Sequence, residues 1–175
     1  MKGHTSTVFC MDCDQDMTKL YSGSADRSIR VWDVEEGLCL RVIWTGEASS
    51  IMSISFSQGL LACTSGGRVS IWDPQNGACV RSFNAHKTRI ESIKLRMDDT
   101  SARSGIVISG GQDGRLKYWK VFGLGPVIKL NEHKDQINCV CADKTRIVTA
   151  SYDNTIIVWD FREARSASRA STSYG

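Results

Sequence analysis

Four of the five tryptophans of this chain recur at a nearly constant interval. Trp32, Trp72, Trp119 and Trp159 are 40, 47 and 40 residues apart. Each sits in a short strand-like run: IRVWD (Ile29–Asp33), VSIWD (Val69–Asp73), LKYWK (Leu116–Lys120) and IIVWD (Ile156–Asp160). A repeat of about 40–45 residues reads as one supersecondary unit that cannot bury its apolar face alone and must stack on its neighbours.

Three further markers keep the same register. Histidines in Gly3-His4, Ala85-His86 and Glu132-His133 each stand four residues before an apolar residue: Val8, Ile90 and Ile137. The second segment has Glu47 at that step before Ile51. From each of these apolar residues, small or apolar side chains recur at offsets 0, 2, 3 and 5: Val8, Cys10, Met11, Cys13; Ile51, Ser53, Ile54, Phe56; Ile90, Ser92, Ile93, Leu95; Ile137, Cys139, Val140, Ala142. That pattern predicts a short strand buried on both faces. Asp26, Asp113 and Asp153 stand six before their tryptophans, and Ser22, Ser109 and Thr149 four before those aspartates. Gly66 and Ala62 hold the corresponding places in the second segment.

Residues 3–160 resemble the WD-repeat family on these motifs. The resemblance implies an all-β fold: four WD-repeat blades forming a partial (open or incomplete) β-propeller over residues 1–160. The repeats run over about 3–44, 45–84, 85–130 and 131–160. In the first unit, strands are expected at about 7–13, 18–24, 28–33 and 38–44. The fourth strand of the third unit is expected at Val127–Leu130, after Gly125-Pro126, and the whole chain at fifteen strands. The longer third unit places its excess in MDDTSARSG (Met97–Gly105), read as an extended surface loop. The resemblance also implies three buried polar sets: Asp26–His4–Ser22–Trp32, Asp113–His86–Ser109–Trp119 and Asp153–His133–Thr149–Trp159. The second blade, lacking its His and Asp, is expected to be the loosest.

Those sets also bear on chemistry. A Ser-His-Asp catalytic site is a single constellation, whereas this one recurs three times at a structural spacing, so no enzyme is expected. Cys10-x-x-Cys13 and Cys139-x-Cys141 invite a metal or redox reading. Cys10, Cys13 and Cys139, however, fall on repeated packing positions, so neither a metal nor a cofactor is expected. Ser65-Gly66-Gly67 and Ser109-Gly110-Gly111 lie in turn and strand positions and lead into no helix, as a phosphate loop would. With seven cysteines and no apolar signal segment at the start, a disulfide framework is not expected and an intracellular, cytoplasmic location is.

The formal charge is +3, and Arg162, Arg165 and Arg169 against Glu163 leave about +1 for residues 1–160. A body so nearly neutral lacks the electrostatic footprint of a nucleic-acid binder. No run reaches the ~20 apolar residues of a membrane span. The expected partners are therefore other proteins or peptides, met on the loop face. Phe9, Met52, Arg89, Gln112 and Tyr152 are the candidate contacts, since aromatic residues, Met and Arg are enriched at interfaces. The first unit is similar to F-box WD-repeat proteins, which implies a ubiquitin-ligase substrate-recognition module as the alternative function. That family's phosphodegron arginines are replaced here by Phe9 and Ala25. Four units are about half a usual ring. Missing blades of a longer chain are expected to complete it; self-association into a ring and a stable four-blade arc are the alternatives. The Arg/Ser tail, residues 161–175, is expected to be flexible, with Ser166, Ser168 and Ser171 close behind arginines.

Overall fold

Alternating apolar residues between tight polar turns make hairpins, and this chain is built of hairpins. The computed structural model describes residues 1–98 and 101–161, which form fifteen strands and no helix. The first sheet holds β1 (Val8–Cys13), β2 (Lys19–Ser24), β3 (Ser28–Asp33) and β4 (Cys39–Trp44). The second holds β5 (Ile51–Ser57), β6 (Leu60–Ser65), β7 (Arg68–Asp73) and β8 (Ala78–Asn84). The third holds β9 (Ile90–Asp98), β10 (Ser101–Gly111), β11 (Leu116–Lys120) and β12 (Pro126–Leu130). The fourth holds β13 (Ile137–Ala142), β14 (Arg146–Ser151) and β15 (Ile156–Asp160). Every sheet is an antiparallel meander with its strands in chain order. The tail beyond Phe161, with Ser166, Ser168 and Ser171, lies outside the described residues.

The sheets stack as blades in an open arc. Their inner strands are neighbours in turn: β1 beside β5, β5 beside β9, β9 beside β13. The apolar cores lie between blades. Tyr21, Ile29 and Val31 of blade one pack with Ile51, Ile54, Leu61 and Trp72 of blade two. Ala62, Val69 and Ile71 pack with Ile90, Ile93, Leu95, Val107 and Trp119. Ile108 and Leu116 pack with Ile137, Val140, Ile147 and Trp159. Blades pack so closely that a Cβ on Gly110 would come 2.5 Å from the Ile137 side chain.

Each blade therefore has a leading face, with offsets 0 and 3 of its inner strand, and a trailing face, with the residues three and one before its tryptophan. Where a neighbour exists, these residues are buried except Tyr118, which is half-buried: offset 0 is 0% exposed at Ile51, Ile90 and Ile137. In the first blade the same positions are open, Val8 at 49% and Met11 at 70%. At the far end Ile156 is 67% and Val158 49% exposed, whereas Ile29 and Val31 are buried. The burial expected on both faces of the inner strand thus holds only inside the arc. Cys139, expected to be packed, is exposed for the same reason, having no blade beyond it.

The third unit departs from expectation as well. Apart from residues 99 and 100, which lie outside the described residues, its excess lengthens a hairpin: β9 runs to Asp98, and the β9–β10 ladder shifts register between Ser101 and Gly105. Leu95 and Met97 continue the strand alternation and are buried, with Met97 in the second inter-blade core. Period-2 burial carries the strand past the point where polar composition suggests a loop.

Candidate functional site

The buried polar sets come first, because they set the hairpins that form the loop face. His4 Nδ1 lies 2.8 Å from Asp26 Oδ2 and His4 Nε2 lies 2.7 Å from Ser22 Oγ, while Trp32 Nε1 donates to Ser22 Oγ at 2.8 Å. In the third blade His86 meets Asp113 at 3.0 Å and Ser109 at 2.9 Å, with Trp119 Nε1 donating to Ser109 at 3.2 Å. In the fourth, His133 meets Asp153 at 2.9 Å and Thr149 at 2.7 Å, with Trp159 Nε1 donating to Thr149 at 3.2 Å. The structure thus brings together all twelve residues expected in these sets.

One proton arrangement satisfies every group. The indole only donates, so the hydroxyl oxygen accepts from it. The hydroxyl proton then goes to Nε2, and Nδ1–H goes to the carboxylate. A neutral imidazole suits this chain. Burial, with the Lys117 charge acting the same way, lowers the His86 pKa although the Asp113 carboxylate raises it. Burial alone would raise the Asp26 carboxyl, but hydrogen bonds from Ser28, His4 and the backbone N–H groups of Ser28 and Thr5 hold it well below the usual carboxylate range. Asp153 is held low chiefly by the Thr155 hydroxyl, with help from the Lys134 N–H and His133. Sequence reasoning missed Ser28 and Thr155. Their signal is a hydroxyl residue two positions after the aspartate, which is the geometry of a side chain closing its own turn.

The second blade is wired differently. Its β6–β7 register pairs Leu61 with Trp72 and Cys63 with Ser70, so Cys63, not Ala62, occupies the hydroxyl position. The mismatch arises in the turn. The other β2–β3-type hairpins carry three or four residues between their strands, with the left-handed one at Arg27, Gly114 or Asn154; here two glycines suffice, with Gly66 at φ 57°. The shorter turn has no place for the aspartate. Glu47, at the histidine position, pairs instead with Arg68 at 3.1 Å; Arg68 also donates to Ser82 at 2.6 Å, and Ser82 joins Ser70 at 2.8 Å. Trp72 Nε1 is left buried without a hydrogen-bond partner. Burial pushes the Cys63 thiol up to about 12. The apolar half of this blade is intact, with Ile51, Leu61, Val69 and Ile71 fully buried between two neighbours. This packing opposes the looseness expected from the missing polar set. Cys63→Ser offers the indole a hydroxyl and is expected to stabilise the chain by about 1 kcal/mol, or a few degrees in Tm. A thermal melt showing no gain would mean that the thiol already serves the indole.

The loop face is made by a repeated β-bulge. In all four blades the inner-strand register slips by one residue next to offset 0, leaving Phe9, Met52, Glu91 and Asn138 as the extra residue. A bulge re-aims its side chain. Phe9 is exposed, as are Arg89, Gln112 and Tyr152, and Met52 is half-buried. The hairpin tips rest on the residues that enter the inner strands: Ala25 N–H on Thr7 O at 2.8 Å, Gln112 N–H on Arg89 O at 2.9 Å, Tyr152 N–H on Gln136 O at 3.0 Å. All five candidate contacts therefore sit at one end of the blades. Arg89 is engaged by Glu91, with Nε 2.7 Å from Oε1. Phe9, Met52 and Tyr152 leave this face largely apolar at blades one, two and four.

Inner strands are tied across blades by side chains that accept backbone N–H groups. Asp12 Oδ2 accepts from Phe56 at 2.8 Å, Ser53 Oγ from Ile93 at 3.2 Å, Ser57 Oγ from Met97 at 3.0 Å and Ser92 Oγ from Val140 at 3.0 Å. These strands line a cleft of about 380 Å³. Among the described residues, no group of three or more His, Cys, Asp and Glu side chains is placed to hold a metal ion. No helix among them is long and apolar enough to cross a membrane.

The family profile "WD domain, G-beta repeat" matches residues 1–33, 77–120 and 124–160. The chain is a WD-repeat protein. The stretch between the first two matches covers most of the second blade, whose polar set is lost. This WD-repeat chain is 31% identical over 172 residues to eukaryotic translation initiation factor 3 subunit I of Nematostella vectensis, covering 90% of the chain and 51% of the relative. The subunits of that name from Mus musculus and Homo sapiens are 28% and 27% identical over 173 residues, again with 90% and 51% covered. The WD-repeat chain thus spans about half the length of these relatives. Among solved structures it is similar in fold to the computationally designed Ika4 protein, with a TM-score of 0.77 at 24% identity, covering 92% of this chain and 95% of that one.

Proposed function

We propose that this chain is a non-catalytic protein-interaction scaffold that serves a multi-protein assembly, as the name of its relatives denotes for them. The observation that carries the reading is the bulge repeated in four blades, which turns one inner-strand residue per blade away from the packed faces. On this reading Phe9, Met52, Arg89, Gln112 and Tyr152 form the contact surface. Its partners are proteins or peptides, with the apolar side chains burying against them and Arg89 and Gln112 supplying register. The His-Ser-Asp sets are architectural, because each is closed by an indole and offers no open group to a substrate. An intracellular, cytoplasmic location goes with this reading.

The test is co-purification with the other subunits of translation initiation factor 3. The wild-type chain is expected to bring down at least one, and the Phe9→Ala/Tyr152→Ala variant to lose it by tenfold or more. A wild-type chain that binds none of them would sink the assembly assignment. A double variant that binds as well as wild type would place the contact on another surface.

A further inference from the structure

The third blade, which has a neighbour on both sides, carries a charge arrangement that the first two lack. In each blade of four strands, the residue two before the tryptophan stands opposite a residue of the outermost strand. In the first blade that pair is Arg30 and Val42, and in the second it is Ser70 and Ser82, joined at 2.8 Å. In the third it is Lys117 and Lys129. Like charges directly opposite one another destabilise an antiparallel pair. Lys117 is also buried, at 9% exposure, and its Nζ donates to a neutral group, the Ala85 carbonyl, at 2.6 Å. A buried ammonium is costly unless a counter-charge meets it.

Two more cations stand at the same place. Arg115 precedes Lys117 by two residues where the chain enters β11, so the two share a side of the strand. Lys87 follows Ala85, whose carbonyl holds the Lys117 amine, by two residues. Burial lowers the Lys117 pKa; the Asp113 carboxylate opposes this, and the charges of Lys129, Arg115 and Lys87 add to it. Asp113 is itself engaged by His86 at 3.0 Å and by the Arg115 backbone N–H at 3.1 Å. Among the described residues, no carboxylate forms an ion pair with the side chain of Lys87, Arg115, Lys117 or Lys129. Lys87, Arg115 and Lys129 are exposed.

We propose that this cluster binds an acidic peptide segment of a partner protein, whose carboxylates supply the counter-charge that the chain itself does not. The three exposed side chains reach the ligand, and Lys117 beneath them adds a charge that salt screens less than it screens the surface ones. A peptide fits better than a nucleic acid. The cluster is confined to one blade of a body whose net charge is nearly neutral, and it contains no aromatic side chain on which a base would stack. It runs from the turn of the third blade to that blade's outermost strand, whereas Phe9, Met52 and Tyr152 belong to the other three blades.

The probe is a fluorescein-labelled peptide of ten glutamates, titrated with the full chain and followed by anisotropy. Saturable one-to-one binding is expected, weakening as salt is added. Arg115→Ser and Lys129→Ser are each expected to weaken it by about fivefold, and the two together by more than about tenfold. Lys120→Ser, at the far end of the same strand, is expected to bind as the wild type does. Lys129→Ser also removes the like-charge pair, so the Tm of the free chain is expected to rise by about 2 °C; the rise separates lost binding from lost folding. Absence of saturable binding by the wild type overturns the proposal, as does unchanged binding by the Arg115→Ser/Lys129→Ser variant. A strand of ten thymidines that binds the same residues more tightly than the peptide also overturns it, in favour of a nucleic-acid site. Phe9→Ala/Tyr152→Ala is expected to bind the peptide normally, so failure of the bulged face as a contact surface and failure of this cluster are read apart.

Discussion

Ile90→Ala will destabilise the chain by about 3–4 kcal/mol, whereas Val8→Ala in dilute solution will cost under about 0.5 kcal/mol. The two residues hold the same place in their blades. Ile90 is fully buried in the core between the second and third blades, and its truncation leaves a cavity lined by Val69, Ile71 and neighbours that cannot collapse onto it. Val8 stands at an end of the arc, 49% exposed, so little contact is lost. For a chain of this size the larger value lowers Tm by about 10 °C. Thermal or urea unfolding of the two variants side by side checks it. Equal effects would mean that cores form within blades and not between them.

His86→Ala will cost about 3–4 kcal/mol, because it removes two hydrogen bonds and leaves buried groups unpaired at about 1–3 kcal/mol each. Ser109 would keep only the Trp119 indole, and Asp113 would lose its imidazole donor. The same residue sets a pH dependence. Burial lowers the His86 pKa in the folded chain, so below about pH 6.5 the unfolded chain takes up a proton that the folded one resists. Its contribution to stability is full above that pH and falls as the solution is made more acid. The lowered Asp26 and Asp153 carboxyls act in the same direction at lower pH, below about 4. The wild type is expected to lose stability from pH 7 to pH 5, and His86→Ala to show a flatter profile in that window. A variant with the wild-type slope would remove His86 as the source.

Much of this architecture is legible without coordinates. Strands expected at 7–13, 18–24, 28–33 and 38–44 form at β1 to β4 within a residue at each end. The tetrads are readable because histidine, hydroxyl, aspartate and tryptophan each answer the others' hydrogen-bonding needs at a constant spacing. The bulged face is readable as exposed positions, though not as bulges, since one extra residue in a strand leaves no mark in a hydrophobic pattern. Cys63 is misplaced by sequence reasoning for a specific reason. Counting back from the tryptophan assumes a fixed turn length, and two glycines close the β6–β7 hairpin one residue early, shifting the face of every residue behind it.

The sequence by itself determined the repeat, the strand limits of the first blade and the three closed polar sets, because each depends on residues within one unit of about 40. Only the tertiary structure decided which apolar residues are core. Val8 and Ile90, or Ile156 and Leu116, occupy the same places in their blades. What separates them is whether another blade is packed against them. Burial between blades belongs to the stack, so the same local pattern gives a core residue inside the arc and an open apolar face at its ends.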